Sequence, residues 1–168
     1  LAQELLASMH IPVFTAEGFE ADDLLGTLAR CAETEGYDAL IVSGDQDILQ
    51  LVSEHISALI TRRGITETQR YDPAAVQERF GLAPAQLTDL KSLRGDPTDN
   101  ISGVPGVGEK TAIALLKQFG SLETLLDNLE KIKPPKAAAA ITTYADQARL
   151  FKRLVTIDTN APAEIDWD

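Results

Sequence analysis

Leu1, Leu5, Leu6 and Met9 recur at helical spacing, and the short apolar run Ile11 to Phe14 that follows reads as a strand. A second helix is predicted over Glu20 to Glu35, with Leu24, Leu25, Leu28 and Ala32 on its apolar side and Gly36 as its stop. Ala39 to Ser43 is a continuous apolar run ending at Gly44, the pattern of a buried parallel strand. Ile48 to Val52 reads as helix, and Ile56 to Thr61 and Thr66 to Tyr71 read as strands around a turn at Arg63 and Gly64. Strand and helix alternate, so residues 1–72 are expected to form an α/β unit on a mainly parallel sheet.

From Pro73 onward the strand signal disappears. Pro73 and Pro84 stand where helices can begin, and helices are predicted over 74–80, 85–94, 109–119, 121–130 and 137–155. Residues 73–155 therefore read as a helical subdomain, and 156–168 as an extended tail that packs back on the first half. No internal repeat is present, and the Ala137 to Ala140 run is simply strong helix former.

Composition narrows the class. With 168 residues, 44% hydrophobic and 24% charged, the chain has the make-up of one soluble globular unit rather than a disordered or collagen-like one. No apolar run reaches the roughly 20 residues that span a bilayer, and no leader of the secretory type is visible. The single Cys31 cannot pair within the chain and suits a reducing compartment, so a cytoplasmic location is expected. Leu1 opens the chain and Met9 is its only methionine, so an excised or processed piece of something longer is expected.

A net charge of -11 would ordinarily argue against nucleic acid, but the charge is unevenly placed. Residues 1–72 carry 4 basic and 13 acidic side chains, residues 73–155 carry 11 and 9, and residues 156–168 carry 4 acids and no base. The acids of the first half fall at element ends. Asp45 and Asp47 follow the strand Leu40 to Ser43, at the carboxyl end where open α/β sheets place ligands, and in extended backbone they would point the same way. Glu20, Asp22 and Asp23 open a helix on the same rim. Glu20 shares a side with Asp22 if the backbone there is extended, and pairs with Asp23 if it is helical. Asp96 and Asp99, within GDPTDN, lie in the loop after the helix 85–94.

Each cluster alone has a bland explanation: acids favour a helix's first turn, and Gly, Asp, Pro and Asn are ordinary turn residues. Together they say more, because seven carboxylates on one rim would repel and destabilise the fold unless cations held them. All-oxygen ligands select a hard ion, Mg²⁺ or Mn²⁺, and a cage for two such ions suits phosphodiester hydrolysis: one activates water and the other stabilises the leaving oxygen. His10 and His55 lie away from these clusters in the sequence and are read as ordinary residues.

Residues 103–112, GVPGVGEKTA, supply a second signal. A P-loop would need Lys directly after Gly108, where Glu109 stands, and no strand precedes the segment. The better reading is a helix-hairpin-helix. Gly103, Gly106 and Gly108 let the backbone turn, the amides at the start of the helix from Glu109 can hold a phosphate, and Lys110 and Lys117 add charge. Such a site grips DNA through its backbone without reading bases. The bland alternative is a Gly-rich turn between helices.

The order EADD (Glu20 to Asp23), SGDQD (Ser43 to Asp47), GDPTDN and GVPGVGEKTA resembles the 5′-nuclease domain of bacterial DNA polymerase I, a relative of the flap endonucleases. The resemblance implies a PIN-like α/β fold followed by a helical subdomain with its helix-hairpin-helix, and a two-metal nuclease that removes 5′ flaps and RNA primers in replication and repair. It implies that Glu20, Asp22, Asp23, Asp45, Asp47, Asp96 and Asp99 hold two divalent ions directly or through water, with Glu20, Asp22, Asp45, Asp47 and Asp99 as the catalytic set. The hairpin Gly103 to Lys110 would bind flapped or nicked duplex DNA, often through a potassium ion shared by backbone carbonyls and a phosphate, and a polymerase would follow in the same polypeptide.

The family's first strand, with a further metal-binding Asp, and its basic helical arch have no counterpart in this sequence. The chain is therefore expected to bind metal weakly and to cut DNA poorly or not at all. Two other classes compete. One is a non-catalytic DNA-binding module, and the other a haloacid-dehalogenase-type phosphatase with Asp45 as nucleophile and Asp47 as acid/base.

Overall fold

A computed structural model describes residues 1–61, 67–163 and 165. Three strands form one small mixed sheet in the order β1-β2-β3: β1 is Ala39–Ser43, β2 is Ile56–Thr61 and β3 is Thr68–Tyr71. β1 runs parallel to β2, while β3 returns antiparallel, so the described sheet is half parallel rather than mainly so. The turn expected at Arg63 and Gly64 lies outside the described residues. Ile11 to Phe14 is not a strand. The described residues place no strand beside it, and Ile11 and Val13 remain exposed, so this apolar run has no ladder to join.

β1 also departs from a buried parallel strand. It is the edge of the described sheet, and its burial alternates: Ile41 points into the core while Leu40 and Val42 are 51% and 57% exposed. β2 is the well-covered strand, with Ile56, Ala58 and Ile60 fully buried.

The helices follow the apolar periodicity closely. α1 (Ala2–Ser8) buries no residue, whereas α2 (Ala21–Thr34) buries Leu24, Ala29 and Ala32 against the sheet. A short 3₁₀ helix, Asp47–Leu51, connects β1 towards β2 and drops Ile48, Leu49 and Leu51 into the core. α3 (Pro73–Phe80) starts on a cap, with Asp72 accepting from the Ala75 amide at 2.8 Å, and ends on Gly81 at φ +68°.

α4 (Leu87–Arg94) and α5 (Glu109–Phe119) pack as the two arms of a hairpin through Leu90, Leu93, Ala112, Leu115 and Leu116. α6 (Leu122–Leu126) is shorter than the expected 121–130, its remainder being a 3₁₀ turn at Leu129–Lys131. The expected helix 137–155 is two helices, α7 (Pro135–Thr143) and α8 (Ala145–Val155), which meet at Tyr144.

One hydrophobic core runs from Ile41 and Ile60 of the sheet through Val76, Leu90 and Leu93 to Leu122, Leu125 and Ile141. The tail lies back on α2. The Asp158 amide donates to Asp23 Oδ1 at 2.8 Å, the Ala161 amide donates to Thr27 Oγ1 at 2.9 Å, and Gln50 brackets Val155 and Ile157. Among the described residues no helix is long and apolar enough to cross a membrane.

A buried charge joins three helices. Asp89 of α4 is only 3% exposed, and Lys152 of α8 sits 2.7 Å from its Oδ1 and 2.7 Å from Glu123 Oε2 of α6. Burial raises the Asp89 carboxyl above its usual range even with the ammonium beside it. Removing the cation leaves a carboxylate without compensation in the interior. Lys152→Met is therefore expected to destabilise the fold by about 3 kcal/mol, to be read from urea unfolding. A loss under about 1 kcal/mol would show that Asp89 simply takes up a proton.

Candidate metal centre

The carboxylates separated in sequence meet on one rim. An open cleft of about 620 Å³ is lined by Glu20, Asp22, Asp23, Asp45, Asp47 and Asp99, and a neighbouring cavity of about 420 Å³ shares Asp45, Asp47 and Asp99 and adds Asp96. All seven acids singled out from the sequence thus line two neighbouring cavities with Asp45, Asp47 and Asp99 in common, between the carboxyl end of β1, the start of α2 and the loop after α4.

Local structure decides how each acid presents itself. Glu20 is the residue before α2, in extended backbone, and its amide donates to Asp23 Oδ2 at 3.0 Å. Asp23 also accepts the tail's Asp158 amide, so both of its oxygens are engaged in fixing the helix start and the tail. Among the described residues Asp22 has no such bond. Its burial, followed by repulsion from Asp45, Glu20 and Asp23, raises its pKa, which is the electrostatic signature of acids drawn together.

The backbone between Asp45 and Asp47 is not extended: Gln46 is in the right-handed helical region and Asp47 opens a 3₁₀ helix. The Asp45 amide donates to Ser43 Oγ at 3.0 Å, and Asp45 Oδ1 accepts the Asp47 amide at 2.9 Å, a local turn that launches the 3₁₀ helix. Asp45 and Asp47 still both reach the cleft.

The third cluster is set by a backbone pinch. Asp96 and Ile101 exchange two hydrogen bonds of 2.8 Å, closing the GDPTDN loop on itself. At the base of that loop Gly95 and Gly103 touch backbone to backbone: a Cβ on Gly103 would lie 2.3 Å from the Gly95 nitrogen, and both residues have positive φ. Only glycine fits at either position. Asp96 is buried, and its Oδ1 accepts the Thr98 amide at 3.0 Å and the Thr98 hydroxyl, while Asp99 stands exposed at the rim.

Among the described residues Asp47, Asp96 and Asp99 form a trio whose carboxylate oxygens lie within 4.8 Å of one another. Three hard oxygen donors at that separation fit a cation of the Mg²⁺ or Mn²⁺ type, which prefers carboxylates and keeps several waters. Lys91 of α4 enters this trio. Its ammonium pairs with Asp47, lies 2.5 Å from Asp96 Oδ2 and is 3.3 Å from Asp99 Oδ2.

Sequence reasoning passed over Lys91, although a signal was available: with Leu87 and Leu90 it shares the face of α4 that helical spacing assigns to the interior. His10 and His55 are absent from the rim, and His55 pairs instead with Asp38 at 3.0 Å.

The hairpin segment is ordered by Val104, whose amide donates to the Leu93 carbonyl at 2.8 Å, and by Arg94, 3.1 Å from Glu109 across the two arms. Gly106 and Gly108 have open space around them, and Gly108 heads α5 without a side chain to cap the first-turn amides. Lys110 lies in that first turn. Lys117, two turns along at about 10 Å of axial rise, reaches Gly81 rather than the hairpin tip. The structure therefore groups Gly106, Gly108 and Lys110, leaves Lys117 apart, and gives Gly103 a packing duty at the acidic loop.

The chain belongs to the 5′-3′ exonuclease family: residues 1–81 match the model of its N-terminal resolvase-like domain, and residues 82–168 match that of its C-terminal SAM fold. Similar curated proteins include the DNA polymerase I of Bacillus caldotenax, 46% identical over 168 residues, which cover 100% of this chain and 19% of that protein. The DNA polymerase I of Mycobacterium tuberculosis (strain H37Rv) is 49% identical over 133 residues, 79% of this chain and 15% of the relative. The chain thus spans about a fifth of the length of such relatives.

Among solved structures, the T5 5′-exonuclease with bound zinc aligns with a TM-score of 0.79 at 24% identity over 92% of this chain and 56% of that one. The catalytic core of Rad2 in complex with DNA aligns at 0.60 and 20% identity, over 99% and 55%. These structures share the α/β and helical architecture. Family membership over the whole chain sets the dehalogenase-type alternative aside.

Protons and cations compete for this rim. Burial lifts Asp47 to about 6; the hydrogen bond and charge of Lys91 oppose the rise, and Asp45 and Asp99 reinforce it. Burial is the largest single influence on Asp96 and raises it, but the hydrogen bonds from Lys91 and Thr98 and the charge of Lys91 together outweigh it and bring the carboxyl down to about 2. A carboxyl that titrates at about 6 when folded and near 3.8 when unfolded contributes stability that is full at acidic pH and lost as pH rises through 6. Asp96 works in the opposite sense, its contribution fading as pH falls from 3.8 towards 2. In metal-free buffer the stability difference between the native chain and Asp47→Asn is expected to shift against the native chain from about pH 4 to about pH 7. Urea midpoints across that range check it, and a constant difference would contradict it.

Proposed function

We propose that this chain is a structure-specific 5′ nuclease that hydrolyses phosphodiester bonds in flapped or nicked DNA and in RNA primers, using two Mg²⁺ or Mn²⁺ ions, within a replication and repair polypeptide that also carries a polymerase. The single observation that carries the reading is the meeting of Glu20 and Asp22, Asp45 and Asp47, and Asp96 and Asp99 on one cleft. Three short acidic segments spread over some eighty residues of sequence have no structural need to converge, and a chain that concentrates negative charge in this way needs cations there.

In this reading Asp47, Asp96 and Asp99 would hold one ion, and Glu20, Asp22 and Asp45 would help to hold a second. Asp23, with its oxygens tied to the Glu20 and Asp158 amides, acts through water or by fixing the helix start. Bound divalent ions would activate water and offset charge on the leaving oxygen. The chain's own groups orient and position: the Thr98 bonds fix the rotamer of Asp96, and the Asp45 turn aims Asp47.

The hairpin supplies the grip on duplex. Gly106 and Gly108 allow close approach of a phosphate, the uncapped amides of α5 face it, Lys110 adds charge, and backbone carbonyls of the hairpin could share a K⁺ with the phosphate. The relatives are DNA polymerases and Rad2 is seen with DNA, which supports a nucleic-acid substrate.

Release of a 5′ label from a flapped duplex is expected to be slow, to depend on Mg²⁺ and to stop in EDTA, and Asp47→Asn and Asp99→Asn should each lower that slow rate by at least about 10²-fold. Metal-independent cleavage, or full activity in both variants, would remove the nuclease reading. Lys110→Ala should weaken duplex binding alike for unrelated sequences and reduce the salt slope by about 1, measured by fluorescence anisotropy at several KCl concentrations. An unchanged slope would place the DNA elsewhere.

A further inference from the structure

We infer that Lys91 is a built-in counter-cation that occupies the divalent-ion position among Asp47, Asp96 and Asp99, so that metal binding there requires its ammonium to withdraw. The inference rests on the metal reading above and concerns the residue that competes with the metal.

Three observations carry it. The Lys91 ammonium contacts all three members of the trio, and its side chain is only 14% exposed, so the arrangement is a seated ion pair rather than a surface encounter. The carboxylate oxygens lie within 4.8 Å of one another, which leaves room for one cationic centre. A Mg²⁺ ion needs oxygens at about 2.0–2.1 Å, and an ammonium nitrogen cannot share that shell. Space for withdrawal adjoins the site: Lys91 also borders the cavity of about 420 Å³ that opens towards Phe80, Leu87 and Arg94.

The chemistry follows from charge. Three carboxylates at this spacing need a positive partner for the fold to close, and a tethered lysine provides one at an effectively constant local concentration. The metal-free chain is thereby held in the shape that the loaded chain needs. The ammonium must be displaced at each loading, so the lysine stabilises the unloaded fold at the expense of metal affinity. Exchange of one cation for another then leaves the carboxylates in place.

The test is Lys91→Met, which keeps the length of the side chain and removes the charge, with Lys91→Arg as the charge-retaining control. Mn²⁺ binding is followed by the electron paramagnetic resonance of free Mn²⁺, and thermal unfolding is recorded with and without Mn²⁺. The Met variant is expected to bind Mn²⁺ about tenfold tighter, to melt lower than the native chain without metal, and to gain more than the native chain from saturating Mn²⁺. The Arg variant should stay near the native chain. If the Met variant does not fold without metal, added Mn²⁺ should restore its circular dichroism.

Unchanged or weaker Mn²⁺ binding by the Met variant overturns the inference. So does equal tightening in the Arg variant, or a Met variant that stays unfolded at Mn²⁺ concentrations that saturate the native chain. Absence of Mn²⁺ binding in the native chain and the Met variant alike would instead remove the metal reading of the preceding section. Binding by the native chain with no gain in the variant removes only the role of Lys91.

Discussion

Mutual repulsion among carboxylates drawn to one rim is the constraint around which the rest of this molecule is arranged. Some of the charge is absorbed by the chain itself: Asp23 by the Glu20 and Asp158 amides, Asp45 by the Asp47 amide, and Asp96 by Thr98 and Lys91. Asp22 and Asp47 are left with raised pKa values, because burial and neighbouring acids outweigh what stabilises their charge. The division separates acids that brace the scaffold from acids whose charge is at best partly offset, Asp47 by Lys91 and Asp22 by no cation among the described residues.

Both halves of the chain build the rim. The β1 end and the α2 start supply Glu20, Asp22, Asp45 and Asp47, while α4 and its following loop supply Lys91, Asp96 and Asp99. This is possible because a single core passes from the sheet through Leu90 and Leu93 into the helical part and joins the two sources of carboxylates. The two family models meet at residues 81 and 82, between the elements that supply these two groups.

Much of this was legible in the sequence, for physical reasons that differ by element. The helices were readable because 3.6-residue periodicity is local, as in α2 and α5, and so were the acids, which stand in short clusters beside turn-forming residues. Strands depend on partners elsewhere in the chain, so the apolar run at Ile11 could not be told from a ladder-forming one, nor the open face of β1 from a buried one. Lys91 was hidden for a related reason: its partners lie 44, 5 and 8 positions away along the chain, and only the folded loop brings them to one nitrogen. Lys117 is the converse case, since seven residues of helix already carry it to the far end of α5 from Lys110.

The pinch between Gly95 and Gly103 has a mechanical consequence. With no side chain to act as a cushion, the hairpin and the loop bearing Asp96 and Asp99 are one stiff lever, pivoting on α4, rather than two parts joined by a slack connector. The place of the hairpin and that of the two carboxylates are thus set by one and the same backbone contact. A methyl group at either glycine would introduce play into that linkage, loosening the far end of the lever while every acidic residue stayed intact.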